Sequence, residues 1–243
     1  PADIEAAADL TRHHRARGHT RAQDLWRVSA AVRRLATHRP VTGLLTALYG
    51  RRAFPFQTLN FVTGSRQKPH SDTWHFSSEP GHFMCGVWIA LEDVHPDAGP
   101  LEYYPGSQAM PIWQKADLPG TDYAGDYEPF IARKLAEGGY QPVRGLIRKG
   151  EAIIWAANLI HGGAPVADPA RTRLSQVTHY YFDGCAYTTP MRETGAGPHI
   201  RSIRDISTGG FPAQYLHGRR VYPSPLVMAA NRWRQVTRQV LYD

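Results

Sequence analysis

Between Phe54 and Phe182 the chain carries a series of short, β-prone runs, each interrupted by glycine or proline. Runs of this length are too short for membrane-spanning helices, and several in series are typical of a β-barrel or β-sandwich. The sequence therefore predicts a mainly β core. The predicted strands are Phe56–Val62, Met84–Leu91, Leu101–Tyr104, Gly145–Arg148, Ala152–Trp155 and Arg173–Phe182.

Helices are expected on either side of this core. Apolar residues recur at helical spacing over 21–38, and a short helix follows that Pro40 opens and Gly50 closes. Because no repeat or linker interrupts the 243 residues, we expect a single domain over 1–243. Its expected parts are a helical part over about 1–50, the β core over about 54–182, a helix within Tyr127–Glu137, and a lid with a closing helix (Pro225–Tyr242) over about 184–243.

Composition excludes several classes of protein. The chain has no apolar run of about 18 residues, so no membrane span is predicted. Its N-terminal stretch lacks the apolar segment of a signal peptide, and its two cysteines cannot form a disulfide framework, which together predict a reducing, cytoplasmic setting. The net charge of +7 comes from scattered arginines, which argues against nucleic-acid binding and suits small anionic ligands.

Two separated histidines and one aspartate form a candidate metal site. In His70-Ser71-Asp72 an extended backbone would turn the imidazole and the carboxylate to the same side. His161 follows an apolar run and precedes Gly162–Gly163, which indicates close approach of another backbone or a ligand. Two histidines and one carboxylate are the facial triad that binds non-haem Fe(II). A structural Asp–His pair and a core histidine are the alternatives.

Downstream, Arg171, Arg173 and Ser175 would share one face of an extended strand. Arginine binds a carboxylate through two parallel hydrogen bonds, and a nearby hydroxyl adds a third. The alternative is a pair of surface arginines on an edge strand. The order of metal ligands followed by a carboxylate-binding arginine suits a keto acid with a second carboxylate, which is the form of 2-oxoglutarate.

Several segments in this order resemble the phytanoyl-CoA dioxygenase family. They are Gln67–His75, with its His-Ser-Asp, Gly86–Asp93, Gly99–Leu101, Tyr104–Ser107, and the block from His161 to Arg173. The resemblance implies a double-stranded β-helix, or jelly-roll, with Fe(II) and 2-oxoglutarate as cofactors.

The resemblance also assigns roles to individual residues. His70, Asp72 and His161 match the iron ligands, Arg173 matches the arginine that binds 2-oxoglutarate, and Trp88 matches a tryptophan of the cofactor pocket. Ser175 completes the Arg-x-Ser pattern of related oxygenases. The interval from His161 to Arg173 is longer than the family pattern, so Arg171 stays an alternative anchor. On the strand Phe56–Phe61, Gln57 is the residue that we expect on the cofactor side.

These assignments predict an oxygenase that hydroxylates a small, secondary-metabolite-like molecule and releases succinate and CO₂. The carboxylate of Asp72 favours hydroxylation over halogenation, because related halogenases carry a small residue there. A jelly-roll hydrolase or isomerase without 2-oxoglutarate and a non-catalytic binding relative are the alternatives. Specificity is expected in the loops 63–67, 109–127 and 184–210.

Overall fold

The structure is a computed structural model that describes residues 2–16, 18–120, 122–194 and 197–221. It contains α1 (Ala2–Ala16), α2 (Ala30–Ala36), α3 (Arg39–Tyr49) and α4 (Glu128–Glu137). The strands are β1 (Arg21–Gln23), β2 (Ala53–Phe61), β3 (Ser77–Glu79), β4 (Met84–Ala90), β5 (Leu101–Tyr103), β6 (Val143–Arg144), β7 (Ala152–Ala156), β8 (His161–Gly163), β9 (Ser175–Phe182), β10 (Ala186–Thr188), β11 (Gln214–Leu216) and β12 (Arg219–Val221).

The strands form one large sheet and a smaller one. The large sheet has the antiparallel order β1-β2-β9-β4-β7, and the smaller sheet has the order β6-β5-β8. Two further pairs, β3 with β10 and β11 with β12, lie outside these sheets. This arrangement confirms the predicted fold class, a mainly β jelly-roll with flanking helices.

The two faces of the large sheet have different neighbours. On β4, Val87 and Ile89 pack in one apolar cluster with Val32, Leu35 and other side chains of the N-terminal helices. Gly86 and Trp88 alternate with these residues and belong to the opposite face of the sheet. On that face Trp88 lines a cavity between the two sheets. Both faces are therefore covered, and every residue of β4 is buried. Full burial of each such aliphatic side chain contributes about 1.5–3 kcal/mol.

The helix predicted over 21–38 is wrong at its start. Residues 21–23 form the edge strand β1, which pairs with β2 from Arg21 opposite Phe61 to Gln23 opposite Leu59. Asp24 then adopts a left-handed φ of 59°, which a helix does not continue through. The helix α2 begins only after Ser29, whose hydroxyl accepts a hydrogen bond from the backbone N–H of Val32 and caps the helix.

Other boundaries agree or shift. Pro40 lies in the first turn of α3, and Gly50 ends this helix with a φ of 68°, as predicted. The strand predicted over Gly145–Arg148 lies earlier, at Val143–Arg144, because these two residues pair with β5. The predicted helix over 225–242 lies outside the described residues. Among those that the structure describes, no helix has both the length and the apolar character that a membrane crossing requires.

Candidate active site

The backbones of two distant segments meet at the proposed metal ligands. His70 and His161 form an isolated antiparallel bridge in which each N–H donates to the carbonyl of the other, with N···O distances of 2.9 and 3.0 Å. The apolar strand β7 does not deliver His161 directly, because it ends at Ala156 and a turn intervenes before β8. The pairing places both imidazoles on the same side, with ring centroids 4.6 Å apart.

Hydrogen bonds fix the orientation of both imidazoles. The Nδ1 atom of His70 lies 2.8 Å from the carbonyl oxygen of Lys68, and Nδ1 of His161 lies 3.0 Å from that of Leu159. Because a carbonyl only accepts hydrogen bonds, each Nδ1 carries a proton, and Nε2 is the nitrogen left to bind a metal. The two Nε2 atoms lie 4.0 and 3.8 Å from the same oxygen, Oδ1 of Asp72. These three groups form a compact, buried donor set.

The backbone geometry around Asp72 differs in detail from the expected extended chain. Ser71 is extended, but Asp72 opens a short 3-10 helix, Asp72–Trp74, which the Ser71 hydroxyl caps by accepting from the N–H of Thr73. The Ser71 hydroxyl also donates to the carbonyl of Ala157 at 3.0 Å. The Asp72 carboxylate still faces the imidazoles. Ser71, which separates His70 from Asp72, is extended, and the helical conformation begins only at Asp72.

Burial and neighbouring charges set the protonation of the donor set. Burial, reinforced by His161, lowers the pKa of His70 to about 4, so this imidazole is neutral near pH 7. Burial alone would raise the pKa of Asp72, but His161, His179 and the other surrounding donors outweigh it and hold this pKa below its ordinary value. An ionised carboxylate beside the neutral imidazole of His70 is the protonation that a divalent metal requires. The donor set therefore fits iron.

Arg173 supplies a buried positive charge in the same cavity. The guanidinium carbon Cζ of Arg173 lies over the rings of Phe61 and Trp88, 5.4 and 5.6 Å from their centroids. Nη1 donates to the carbonyl of Gly99 at 3.1 Å, whereas Nε has no hydrogen-bond partner. No carboxylate of the described residues forms an ion pair with this guanidinium. A buried cation without an anionic partner is costly, so the pocket fits a ligand that carries a carboxylate.

The structure distinguishes the two candidate arginines. Arg171 lies on the surface and pairs with Asp168 at 3.1 Å, so the alternative anchor does not face the cavity. Ser175 is fully buried, but its hydroxyl lies 3.5 Å from the carbonyl of Arg173 and is not among the groups that line the cavity. Contact of Ser175 with 2-oxoglutarate stays a prediction.

The remaining predicted residues line the cavity. Trp88 forms part of its wall, and Gln57 faces it from β2, whereas the neighbouring polar residue Asn60 is buried on the other side and lies near Thr11. The carbonyl oxygen of the Gln57 side chain accepts a hydrogen bond from Nδ1 of His179 at 3.0 Å. Its contact with a cofactor stays a prediction.

Two residues that touch Asp72 were not predicted from the sequence. The indole N–H of Trp155 donates to Oδ2 of Asp72 at 2.8 Å, and Nε2 of His179 lies 3.8 Å from the same oxygen. The sequence predicts both residues only as parts of strands, Ala152–Trp155 and Arg173–Phe182. The odd-numbered alternation Arg173, Ser175, Val177, His179 is the signal that indicates His179 on the cavity face.

The glycines after His161 are required by crowding. A Cβ atom at Gly162 would lie 2.8 Å from the carbonyl oxygen of Gln67, and one at Gly163 would lie 2.9 Å from the backbone nitrogen of Arg66. The loop 65–69 therefore passes directly over β8, and it ends in the bridge between His70 and His161. Close approach of a backbone, one of the two predicted reasons, explains both glycines.

A jelly-roll with a buried His-x-Asp…His set and an inward arginine is the combination of the Fe(II)- and 2-oxoglutarate-dependent oxygenases. The chain belongs to the phytanoyl-CoA dioxygenase family, because the family model Phytanoyl-CoA dioxygenase (PhyH) matches residues 2–173. Over 93 residues the chain is 31% identical to Phytanoyl-CoA dioxygenase domain-containing protein 1 of Danio rerio. This match covers 34% of the chain and spans about a third, 32%, of that relative.

Solved structures share the fold. The non-heme alpha ketoglutarate dependent epimerase SnoN from nogalamycin biosynthesis has a TM-score of 0.63 at 20% identity, over 90% of this chain and 88% of that one. The carbocyclase SnoK from nogalamycin biosynthesis has a TM-score of 0.61 at 17% identity, over 80% and 76% of the two chains. EctD from S. alaskensis with bound Fe has a TM-score of 0.51 at 19% identity, over 67% and 57%.

Proposed function

We propose that this protein is an Fe(II)- and 2-oxoglutarate-dependent hydroxylase of a small organic molecule. His70, Asp72 and His161 would hold the metal, and Arg173 would bind the far carboxylate of 2-oxoglutarate. One observation carries the proposal. The residues His70, Asp72, His161 and Arg173 all line one cavity, and the donor atoms of the first three lie close together. A metal-binding end and a carboxylate-binding end in a single cavity match the two ends of a keto diacid.

Bound Fe(II) with 2-oxoglutarate and O₂ supplies the oxidation of a C–H bond. In this reaction the substrate C–H becomes C–OH, 2-oxoglutarate becomes succinate and CO₂, and the two atoms of O₂ enter the hydroxyl group and succinate. The residues of the chain would bind the cofactors, orient the substrate C–H bond and exclude water. Trp88, Phe61 and Val177 form apolar walls around Arg173, which strengthen its attraction to a carboxylate.

Residues on the metal side of the cavity are the candidates for substrate contact. His75, Phe76 and His179 line this part, and the His75 ring also contacts Met191 of the 184–210 loop. Burial lowers the pKa of His75 and of His179, the latter to about 4, so both are neutral hydrogen-bonding groups near pH 7. These side chains and the loop would set which substrate enters, and the lid role of the loop is part of this proposal.

The first experiment measures assembly of the cofactor site. Fe(II) and 2-oxoglutarate are added without O₂, and the weak visible charge-transfer band of the chelated complex is recorded. We expect the band in the wild-type protein and its loss in His70→Ala. Arg173→Ala should need far more 2-oxoglutarate, whereas Arg171→Ala, a surface control on the same segment, should behave as wild type.

The outcomes separate the competing functions. A folded wild-type protein that binds metal but gives no band with 2-oxoglutarate would indicate a jelly-roll metal enzyme of another type. Absence of metal binding would favour a non-catalytic relative. If the wild-type protein gives the charge-transfer band, candidate substrates are screened by succinate release, and ¹⁸O₂ is used to label the product. A product without a new hydroxyl group would contradict hydroxylation but not the use of 2-oxoglutarate.

We further propose that the 243 residues form one domain that works in the cytoplasm. The shared apolar cluster of the N-terminal helices and the large sheet supports the first point, because it joins Ala7 and Val32 to Val87 and Tyr180. Both cysteines are free and buried, which suits a reducing setting. Limited proteolysis would contradict the domain assignment if it released the helical part and the β core as separately folded units.

A further inference from the structure

One transverse row of the large sheet lies against Asp72. The row crosses four neighbouring strands and consists of Gln57, His179, Gly86 and Trp155, which are opposite one another in the pairing of β2, β9, β4 and β7. Two of its side chains meet the same carboxylate oxygen, Oδ2 of Asp72. Trp155 donates to this oxygen at 2.8 Å, and His179 lies 3.8 Å from it.

The glycine in this row makes the contact of Trp155 possible. A Cβ atom at Gly86 would lie 2.4 Å from the indole carbons Cε2 and Cζ2 of Trp155. Side chains essentially never approach this closely, so the indole can lie across β4 only because residue 86 has no side chain. The indole N–H thereby reaches the carboxylate of Asp72, and the centroid of the indole ring lies 4.7 Å from that of the His161 ring.

The two oxygens of Asp72 have different neighbours. The Nε2 atoms of His70 and His161 both lie nearest to Oδ1, whereas Trp155 and His179 both approach Oδ2. A hydrogen bond from a buried donor to an ionised carboxylate is of the strong, charge-assisted kind. It holds Oδ2 away from the point on which the imidazoles converge.

We propose that Trp155 is a positioning residue that makes Asp72 a one-oxygen ligand of the metal. The inference rests on the proposed function. With Oδ2 held by the indole, Asp72 would present Oδ1 alone to a metal that His70, Asp72 and His161 would hold. A carboxylate that turned and offered both oxygens would compete for the metal with small-molecule ligands. Partners of metal ligands commonly alter metal affinity 10–100-fold when they are removed.

Two variants disturb the contact in different ways. Trp155→Phe keeps an aromatic ring but removes the N–H, whereas Gly86→Ala keeps the N–H and displaces the indole. We expect each to weaken Fe(II) binding 10–100-fold in anaerobic titrations. The first control is Trp26→Phe, which removes an indole N–H that donates to Asp24 at 3.1 Å outside the site. The second is Gly81→Ala, where a Cβ would meet only an ordinary contact at 3.7 Å.

A second measurement needs no metal. In the ¹⁵N–¹H spectrum of the metal-free wild-type protein, the indole N–H signal that is absent in Trp155→Phe should lie downfield and exchange slowly with solvent. In Asp72→Ala the same signal should move upfield and exchange faster. If Trp155→Phe does not fold, the comparison of wild type with Asp72→Ala and the titration of Gly86→Ala still test the contact.

The results separate this inference from the proposed function. Failure of the wild-type protein to bind Fe(II) would overturn the proposed function, and the inference with it, even where the indole signal confirms the contact with Asp72. Wild-type Fe(II) affinity in both Trp155→Phe and Gly86→Ala would overturn the inference alone. An indole signal that does not respond to Asp72→Ala would overturn it as well. Equal losses of affinity in the Trp26→Phe and Gly81→Ala controls would assign the effect to general destabilisation and also overturn it.

Discussion

The main chains of His70 and His161 hydrogen-bond to each other in both directions, at 2.9 and 3.0 Å. The pairing joins the loop that precedes Asp72 to the short strand β8 of the smaller sheet. In both histidines Nδ1 is also fixed by the carbonyl oxygen of the residue two positions earlier, so the two proposed ligands are oriented in the same way. Because the backbone sets both rings, changes in backbone spacing should affect metal binding as strongly as changes of side chain.

Gly162→Ala tests this dependence on backbone spacing. The added methyl group would lie 2.8 Å from the Gln67 oxygen and 3.2 Å from atoms of the Lys68–Pro69 peptide, so the loop must move. We expect a loss of about 1–3 kcal/mol in the free energy of unfolding, as for other overpacked sites. Fe(II) affinity should also fall, because the movement separates His70 from His161.

Urea unfolding and anaerobic Fe(II) titration measure these two effects. Gly43→Ala is the control, since a Cβ there meets nothing within 4 Å and helix α3 should gain about 0.5–1 kcal/mol from alanine. Wild-type stability and affinity in Gly162→Ala would show that the loop does not constrain the histidine pair.

The metal-free protein should lose stability in mild acid. Burial lowers the pKa of His70 and of His179 from 6.5 to about 4. At a pH between 6.5 and about 4, these histidines are protonated in the unfolded chain but neutral in the folded protein. The free energy of unfolding therefore falls as the pH decreases through this range. From pH 7 to pH 5 each histidine should account for a loss of about 2 kcal/mol.

Replacement of one buried histidine should reduce this pH dependence. His179→Asn removes one of the two groups, so urea unfolding of the metal-free variant should show a smaller loss between pH 7 and pH 5. His13→Asn, on the exposed side of α1, serves as the control and should match the wild type. An unchanged pH dependence in His179→Asn would mean that this imidazole is protonated as easily in the folded protein as in the unfolded chain.

Local patterns in the sequence indicate the proposed metal ligands but not the residues that support them. His70, Asp72 and His161 stand out because histidine and aspartate at these positions, together with the family resemblance, have a direct chemical meaning. Trp155 is different, because an apolar strand with a tryptophan is ordinary core. Its contact with Asp72 depends on the register of β7 against β4 and on the missing side chain at Gly86. Cross-strand register is a tertiary property that no single segment encodes.

The error at residues 21–23 has a similar cause. A strand of three residues is too short for an alternating pattern to emerge, and apolar residues from Leu25 onward satisfy helical spacing. Pairing with β2 decides the conformation, and it places Arg21 and Gln23 on the cavity face beside Phe61 and Leu59. The mouth of the cavity thus includes residues that local sequence assigns to a helix.

Arg173→Met should separate stability from function. The guanidinium is buried without a carboxylate partner, and burial lowers its pKa to about 10, so it is still charged at pH 7. Methionine replaces it with a shorter, uncharged and flexible apolar chain beside Phe61 and Trp88. Because replacement of buried charges by apolar groups is often stabilising by about 1–4 kcal/mol, the free variant should melt at a higher temperature than the wild type.

The same change should abolish the response to 2-oxoglutarate. A ligand that binds only the folded state stabilises it, and the melting temperature rises further as the ligand concentration exceeds the dissociation constant. With Mn(II) as an unreactive metal, 2-oxoglutarate should therefore stabilise the wild type and the surface control Arg171→Met, but not Arg173→Met. Equal stabilisation of all three proteins would show that the carboxylate binds elsewhere. A lower melting temperature of ligand-free Arg173→Met would show that the contacts with Gly99 and the aromatic rings outweigh the cost of burying the charge.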